Sequence, residues 1–171
     1  MKKAIVSVVF GGMLVSSAAV LAESSVENST VTNTSATSGS TANALGKYTT
    51  ANVGSIQIQL DSQVKDSELS NLSETTGSHA NATGEGSDAN IGTIFLEDAT
   101  VQGSKISNAS NNSGTVANAT GKHSYANVGS VAVEHATVKN SQIYNGSVNT
   151  GSTANAAADE SRANIGSVDI H

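Results

Sequence analysis

The sequence predicts an all-β chain: a β-solenoid or stack of β-arches made of four units of about 37 residues, joining head-to-tail into cross-β-like fibres. Three observations carry the fold. A 20-residue segment recurs four times, as GSTANALGKYTTANVGSIQI from Gly39, GSHANATGEGSDANIGTIFL from Gly77, GTVANATGKHSYANVGSVAV from Gly114 and GSTANAAADESRANIGSVDI from Gly151. Its apolar residues come in pairs separated by one residue, a spacing that puts each pair on one side of a strand rather than on a helix stripe. The 171 residues include no proline, which a paired strand excludes because it cannot donate to the ladder.

The chain opens on Lys2 and Lys3, then the apolar run AIVSVVFGGMLVSSAAVLA, with Val20-Leu21-Ala22 as a small-residue cleavage site ahead of polar sequence. This layout predicts a secretory signal peptide over residues 1–22. No later stretch approaches the ~20 apolar residues needed to span a bilayer. Residues 23–171 are then a single repeat domain, expected outside the cell after transit through the periplasm. They carry 14 acidic and six basic residues, a net charge of −8, which argues against nucleic acid or anionic membrane as a partner. With no cysteine, backbone pairing and packing must hold the fold. Leu, Ile, Val and Phe number only 26 after residue 22, so no unit can fold alone. Their regular placement distinguishes the chain from a disordered one, because stacking buries each column against its neighbours.

The recurring segment is half A of the repeat. Half B lies between its copies as QLDSQVKDSELSNLSETT, EDATVQGSKISNASNNS and EHATVKNSQIYNGSVNT. The start of the domain is also half B, since Val26, Asn28, Ser29, Val31 and Asn33 align without a gap on Val138, Asn140, Ser141, Ile143 and Asn145. The domain therefore reads as half B at 23–38, repeats at 39–76, 77–113 and 114–150, and a terminal half A at 151–171. Two rungs per repeat are expected, and eight rungs at ~4.8 Å make a rod on the order of 38 Å long. Val53, Ile56, Ile58, Ile91, Ile94, Leu96, Val128, Val131, Val133, Ile165, Val168 and Ile170 are the expected inward side chains.

The most regular residues are asparagine and glycine. Asn43, Asn81, Asn118 and Asn155 occupy one repeat position, and Asn52, Asn90, Asn127 and Asn164 another, followed by Gly54, Gly92, Gly129 and Gly166. Identical asparagines stacked strand on strand can join their amides along the axis. Ordinary Asn-Gly turn chemistry accounts for the same positions equally well. The glycines suit corners that need positive φ. If ladders form, changing Asn90 and Asn127 should matter more than changing Lys105 or Glu134, read here as surface charges.

Nothing points to catalysis, a cofactor or a metal. His79, His123, His135 and His171 fall at different places in the repeat, and the acidic residues are scattered. There is no GxSxG, no P-loop, no calcium-binding nonapeptide and no carboxylate pair in a recurring frame. Serines without a base beside them read as surface hydroxyls. Tyr48, Tyr125 and Tyr144 are too few for a carbohydrate platform, although an exposed ring or two could assist adhesion.

An Ala/Gly/Asn/Ser/Val-rich chain with a secretory leader, four tandem strand-rich units and neither Cys nor Pro resembles the secreted bacterial functional amyloids of the curli and Fap class. The resemblance is one of design and covers residues 23–171. Curli repeats carry glutamines in an SxxxxxQxGxGNxA frame that this chain lacks. Fap-type repeats share Asn-Ile/Val-Gly followed by alternating valines but are usually separated by linkers, whereas these units abut. The pentads ANVGS-VAVEH-ATVKN-SQIYN also resemble pentapeptide-repeat solenoids, interrupted here by HSY-type insertions. The first resemblance implies an extracellular fibre, biofilm-matrix or surface-adhesion subunit whose partner is itself, with a secretion channel and a nucleator as further partners. The second implies only a rod. The alternative is a monomeric secreted β-solenoid that binds, an adhesin or an ice-binding protein, although threonine does not recur at one position in every unit as a flat ice-binding array needs.

The last expectation concerns the ends. Ile165, Val168 and Ile170 reproduce the interior pattern, and Val26 and Val31 belong to an ordinary half B. Neither end carries the divergent cap with which a monomeric solenoid blunts its edges. These residues are therefore the expected polymerisation ends. Half A of one copy followed by half B of the next continues the repeat without a phase break, in an open heterologous contact.

Overall fold

The structure, a computed structural model, describes residues 5–10, 18–22, 25–59 and 62–170. All regular elements among them are strands, wound into a parallel β-solenoid of four turns. Each turn contributes to five faces in succession, with its face-two part split into two strands in the third and fourth turns, and equivalent strands stack in parallel. Face one comprises Ser25–Glu27, Gln63–Lys65, Thr100–Gln102 and Thr137–Lys139. Face two is the longest, with Thr30–Ser38 and Glu68–Thr76, then Lys105–Asn108 with Asn111–Ser113, and Gln142–Asn145 with Val148–Thr150. Face three is Thr41–Leu45, His79–Thr83, Val116–Thr120 and Thr153–Ala156. Face four is Thr50–Val53, Asp88–Ile91, Tyr125–Val128 and Arg162–Ile165. Face five is Ser55–Gln59, Ile94–Glu97, Val131–Glu134 and Val168–Ile170.

The register runs Ala42, Ala80, Ala117, Ala154, steps of 38, 37 and 37 residues. One repeat therefore makes one turn, and the expectation of two rungs per repeat is corrected. Half B forms faces one and two, half A forms faces three to five, and the two halves lie side by side. The physical reason lies in the side chains. A two-rung stack would set half B on half A, whose inward residues differ, whereas a single long turn sets every side chain on its own copy. Four turns at ~4.8 Å give a rod about 19 Å long in place of 38 Å.

Four of the five corners share one grammar, a residue in the left-handed region and then Ser or Thr, while between faces five and one Asp98 and His135 are followed by Ala99 and Ala136. Asn28, Asp66, Gly103 and Asn140 turn face one into face two at φ of 47–61°. Asn, Asp and Gly tolerate that region, and other residues rarely do. The following serines close the corner. Ser67 Oγ donates to Lys65 O at 2.6 Å and Ser104 Oγ to Gln102 O at 2.9 Å. Each Oγ also accepts a backbone N–H from the previous turn, Ser29 to Ser67 and Ser67 to Ser104, both at 3.2 Å. Ser67 and Ser104 are buried, so these serines are corner bonds rather than the surface hydroxyls expected.

Two cores result. Faces one, two and five enclose columns such as Val31, Leu69 and Ile106 facing Ile58, Leu96 and Val133. Faces three and four enclose alanines, among them Ala80, Ala82, Ala117 and Ala119, against Val53, Ile91 and Val128. Alanine allows the two faces to approach closely, while each fully buried aliphatic contributes about 1.5–3 kcal/mol. Val53, Ile56, Ile58, Ile91, Ile94, Leu96, Val128, Val131 and Val133 are fully buried, as their spacing predicts. Ile165, Val168 and Ile170 continue the same columns but are 44–52% exposed, because they lie on the outer edge of the fourth turn.

Ile5–Phe10 pairs in parallel with Thr30–Ser35 of face two, and Ala18–Ala22 pairs with Ser55–Gln59 of face five. These two strands of the segment expected to be a cleaved leader thus lie along two of the five edges of the first turn.

Candidate functional site

The most regular polar side chains form hydrogen-bonded columns. On face three, Asn81 Nδ2 donates to Asn43 Oδ1, Asn118 to Asn81 and Asn155 to Asn118, at 2.9, 2.9 and 2.8 Å. This column points outward, opposite the alanines, and is part-exposed to exposed. On face four, Asn90 donates to Asn52, Asn127 to Asn90 and Asn164 to Asn127, at 3.1, 2.9 and 3.0 Å. Here Asn90 and Asn127 are fully buried.

A third column escapes the sequence reading. Asn33, Asn71 and Asn108 are completely buried on face two, and Asn145 extends them. Their spacing is again 38, 37 and 37, and the match of Asn33 with Asn145 is the visible half of the signal. Asn71 and Asn108 carry the other half, since all four members open an Asn-x-Ser triplet, NTS, NLS, NAS and NGS in chain order. Asn112 and Asn149 add a shorter column, at 2.8 Å, topped by the Thr75 hydroxyl.

The columns run in opposite senses. On faces three and four the later turn donates to the earlier. On face two the earlier donates to the later: Asn33 to Asn71 at 2.8 Å, Asn71 to Asn108 at 2.9 Å, Asn108 to Asn145 at 3.1 Å. Backbone carbonyls fix this orientation. Asn145 Nδ2 donates to Gly129 O and Ser167 O, at 2.9 and 3.1 Å, and only the amide nitrogen can do so. On face four, the contact of Asn164 Nδ2 with the Asp169 carboxylate at 3.2 Å fixes the other sense. At the start of the face-two column, Asn33 Oδ1 is buried with no hydrogen-bond partner, at a cost of about 1–3 kcal/mol.

Gly54, Gly92, Gly129 and Gly166 turn face four into face five at φ of 58–62°. The turn presses against the inner side of face two. A Cβ on Gly54 would lie 2.9 Å from Ser35 Oγ, and one on Gly92 would lie 2.5 Å from Asn112 Oδ1. Both the dihedral and the space require glycine there.

This tight turn folds faces four and five onto each other by their outward sides, making a buried polar seam that alternation alone does not reveal. Asn52 bonds Gln57, and Gln57 bonds Thr50 across it. Phe95 and Tyr125 meet at 6.0 Å between ring centroids. Glu134 is fully buried and Asp88 nearly so. Glu134 is therefore not the surface charge expected, and Tyr125 is not an exposed ring, whereas Tyr48 and Tyr144 are exposed. Burial, with Glu97 adding repulsion, pushes the Glu134 carboxyl up to about 8, and Tyr125 and Arg162 oppose the shift. Burial likewise holds the Asp88 carboxyl well above the usual range, with Glu97 and Glu134 acting in the same direction.

The histidines do not converge. His79 lies exposed on face three, His123 and His135 sit at separate corners, and His171 lies outside the described residues. Among the described residues no group of three His, Cys, Asp or Glu is placed to hold a metal ion. A shallow polar trough of about 670 Å3 follows the corner between faces one and two, lined by Asn28, Asp66, Glu68, Lys105 and Asn140 among others.

The edges of the first and last turns complete the picture. Val26 pairs in register with Val64, and Val31 is buried in the aliphatic core. On the fourth turn Val148, Ile165, Val168 and Ile170 are all exposed. Fold and columns together define a parallel β-solenoid with asparagine ladders. Comparison with protein-family models, curated proteins and solved structures finds no match.

Proposed function

We propose that this chain is a self-assembling extracellular structural subunit, polymerising head-to-tail into a cross-β-like fibre that serves as biofilm matrix or surface attachment. One observation carries the reading. The fourth turn continues the interior strands in register and keeps their apolar columns, yet these end exposed at Ile165, Val168 and Ile170. An edge of this kind offers backbone N–H and C=O groups as well as apolar side chains to a matching strand. The first turn is the matching surface, since its strands stand 38 residues before their own copies. The leader-like N-terminus supports an extracellular location. The test is filament growth at micromolar concentration after removal of residues 1–22, followed by amyloid-dye binding and electron microscopy. Deleting residues 163–171 should abolish elongation.

The trough between faces one and two favours a second reading, a monomeric binding module. A chain that remains monomeric for days under these conditions, with or without the deletion, would favour it.

A further inference from the structure

The head-to-tail reading leaves open what fixes the register and polarity of the junction, and the face-two asparagine column supplies an answer. Asn33 Oδ1 is buried without a partner at the outer edge of the first turn. Its register neighbour in the sequence is a valine, Val8, where every later turn has an asparagine, and Ser35 pairs with Phe10. In every interior turn the place of Val8 is taken by an asparagine of the earlier turn, which donates its Nδ2 to the next.

Resting on that reading, we propose that the first-turn edge of faces two and five is the docking edge for the fourth turn of a second copy, entered once residues 1–22 have left it. The second copy's Asn145 amide then exchanges its Gly129 O contact for the Asn33 Oδ1 that lacks a partner and keeps Ser167 O, as Asn108 bonds both Ser130 O and the next asparagine. Continuing the register sets Ile143 of the second copy against Val31, Val168 against Ile56 and Ile170 against Ile58, apolar on apolar throughout. It also sets Asn155 Oδ1 and Asn164 Oδ1 against Asn43 and Asn52, in the donor-to-acceptor sense of those columns. The leader strands match two faces and mismatch the asparagine column, while a second copy matches all five. Because one column runs against the other two, each terminal edge presents a mixture of donors and acceptors that complements only the opposite edge. Head-to-head contact would set acceptor on acceptor.

The absence of cysteine makes the junction directly addressable. Thr32, Ser70, Ser107 and Tyr144 form one outward column on face two. Thr32→Cys and Tyr144→Cys full-length chains, mixed, stripped of residues 1–22 by signal peptidase and treated with a short thiol cross-linker, should yield a mixed dimer joined through the two introduced thiols. Neither variant alone should cross-link, and the unprocessed mixture should cross-link at least ten-fold less. Like-with-like dimers, equal cross-linking before processing, or filaments without the mixed dimer would overturn the proposed junction while leaving self-assembly standing. Absence of any assembly would overturn both. In a second arm, Asn33→Val transfers the unpartnered acceptor from Asn33 to Asn71, so the unfolding midpoint of the unassembled chain should hold while elongation slows at least ten-fold. Unchanged elongation would remove Asn33 from the junction.

Discussion

Glu134 stands in register on Glu97, one turn apart on face five, and Glu134 is fully enclosed by the seam between faces four and five. Two carboxyl groups in adjacent rungs cannot both ionise cheaply away from water. Burial above all, with Glu97 adding repulsion, pushes the Glu134 carboxyl up to about 8 in the folded chain from 4.5 when free. Between those values the folded chain holds a proton that the unfolded chain has released. The contribution of this proton to stability is complete below about pH 4.5 and is lost as pH rises through 8. A fall of roughly 3–5 kcal/mol is expected between pH 4 and pH 9. Thermal unfolding across that range should show it, and Glu134→Gln should flatten the profile. A midpoint that rises toward pH 9 would contradict the buried seam.

The asparagine columns should not contribute equally. Asn71 and Asn108 each donate and accept inside the molecule, whereas Asn81 and Asn118 do so on the part-exposed outward side of face three. Asn71→Ala or Asn108→Ala should cost about 1–3 kcal/mol per unpaired group, and Asn81→Ala less, because water replaces the lost partner. Asn90→Ala and Asn127→Ala belong with the buried class. Lys105, exposed and 3.3 Å from Glu68, should tolerate alanine within about 0.5 kcal/mol. Denaturant unfolding of these variants would rank them.

Corner glycines divide in a similar way. Gly92 and Gly77 share a positive φ, 58° and 56°. A Cβ at Gly92 meets Asn112 and Ser73 below 3.0 Å, while one at Gly77 meets nothing within 4 Å. Gly92→Ala should therefore lower stability well beyond the ~1–2 kcal/mol of left-handed strain. Gly77→Asn should stay within about 1 kcal/mol, since asparagine tolerates that region. Circular dichroism melts of the two proteins provide the comparison.

Serine content should resolve by position. Ser104 is buried, bonds Gln102 O and accepts from Ser67 N–H, while Ser113 lies exposed on face two. Ser104→Ala is expected to cost about 1–3 kcal/mol for the two buried corner bonds it removes, and Ser113→Ala close to nothing. Amide exchange at Ser67 should accelerate only in the first.

The inward aliphatics, the asparagine columns of half A and the corner glycines were legible because each repeats at one spacing within similar local sequence. Alternation counted Val131 and Val133 correctly, since one strand needs only its own period to show its inner side. It could not tell whether a half-repeat closes a turn. That depends on which side chains tolerate being stacked, and Asn71 beneath Asn108 decides it from 37 residues away. Nor could it place Phe95, Tyr125 and Glu134, whose outward phase is buried only because Gly92 and Gly129 fold two faces back to back. The Asn33 column was within reach of the repeat spacing, since each member opens an Asn-x-Ser triplet, but the residue between changes from Thr to Leu, Ala and Gly and the triplet went uncounted. The serine corners were likewise present in the text as Asn28-Ser29, Asp66-Ser67, Gly103-Ser104 and Asn140-Ser141, a pattern that becomes one grammar only when the left-handed φ is seen at all four.

Because each side chain rests on its own copy one turn away, the molecule behaves as a ruler graduated in single turns. Inserting or removing one complete repeat would change its length by about 4.8 Å and leave every column, corner and seam in phase. An insertion of any other size inside a strand would shift one face against the other four. Length in such a molecule is a digital quantity, tolerant of recombination between repeats and intolerant of slippage within them.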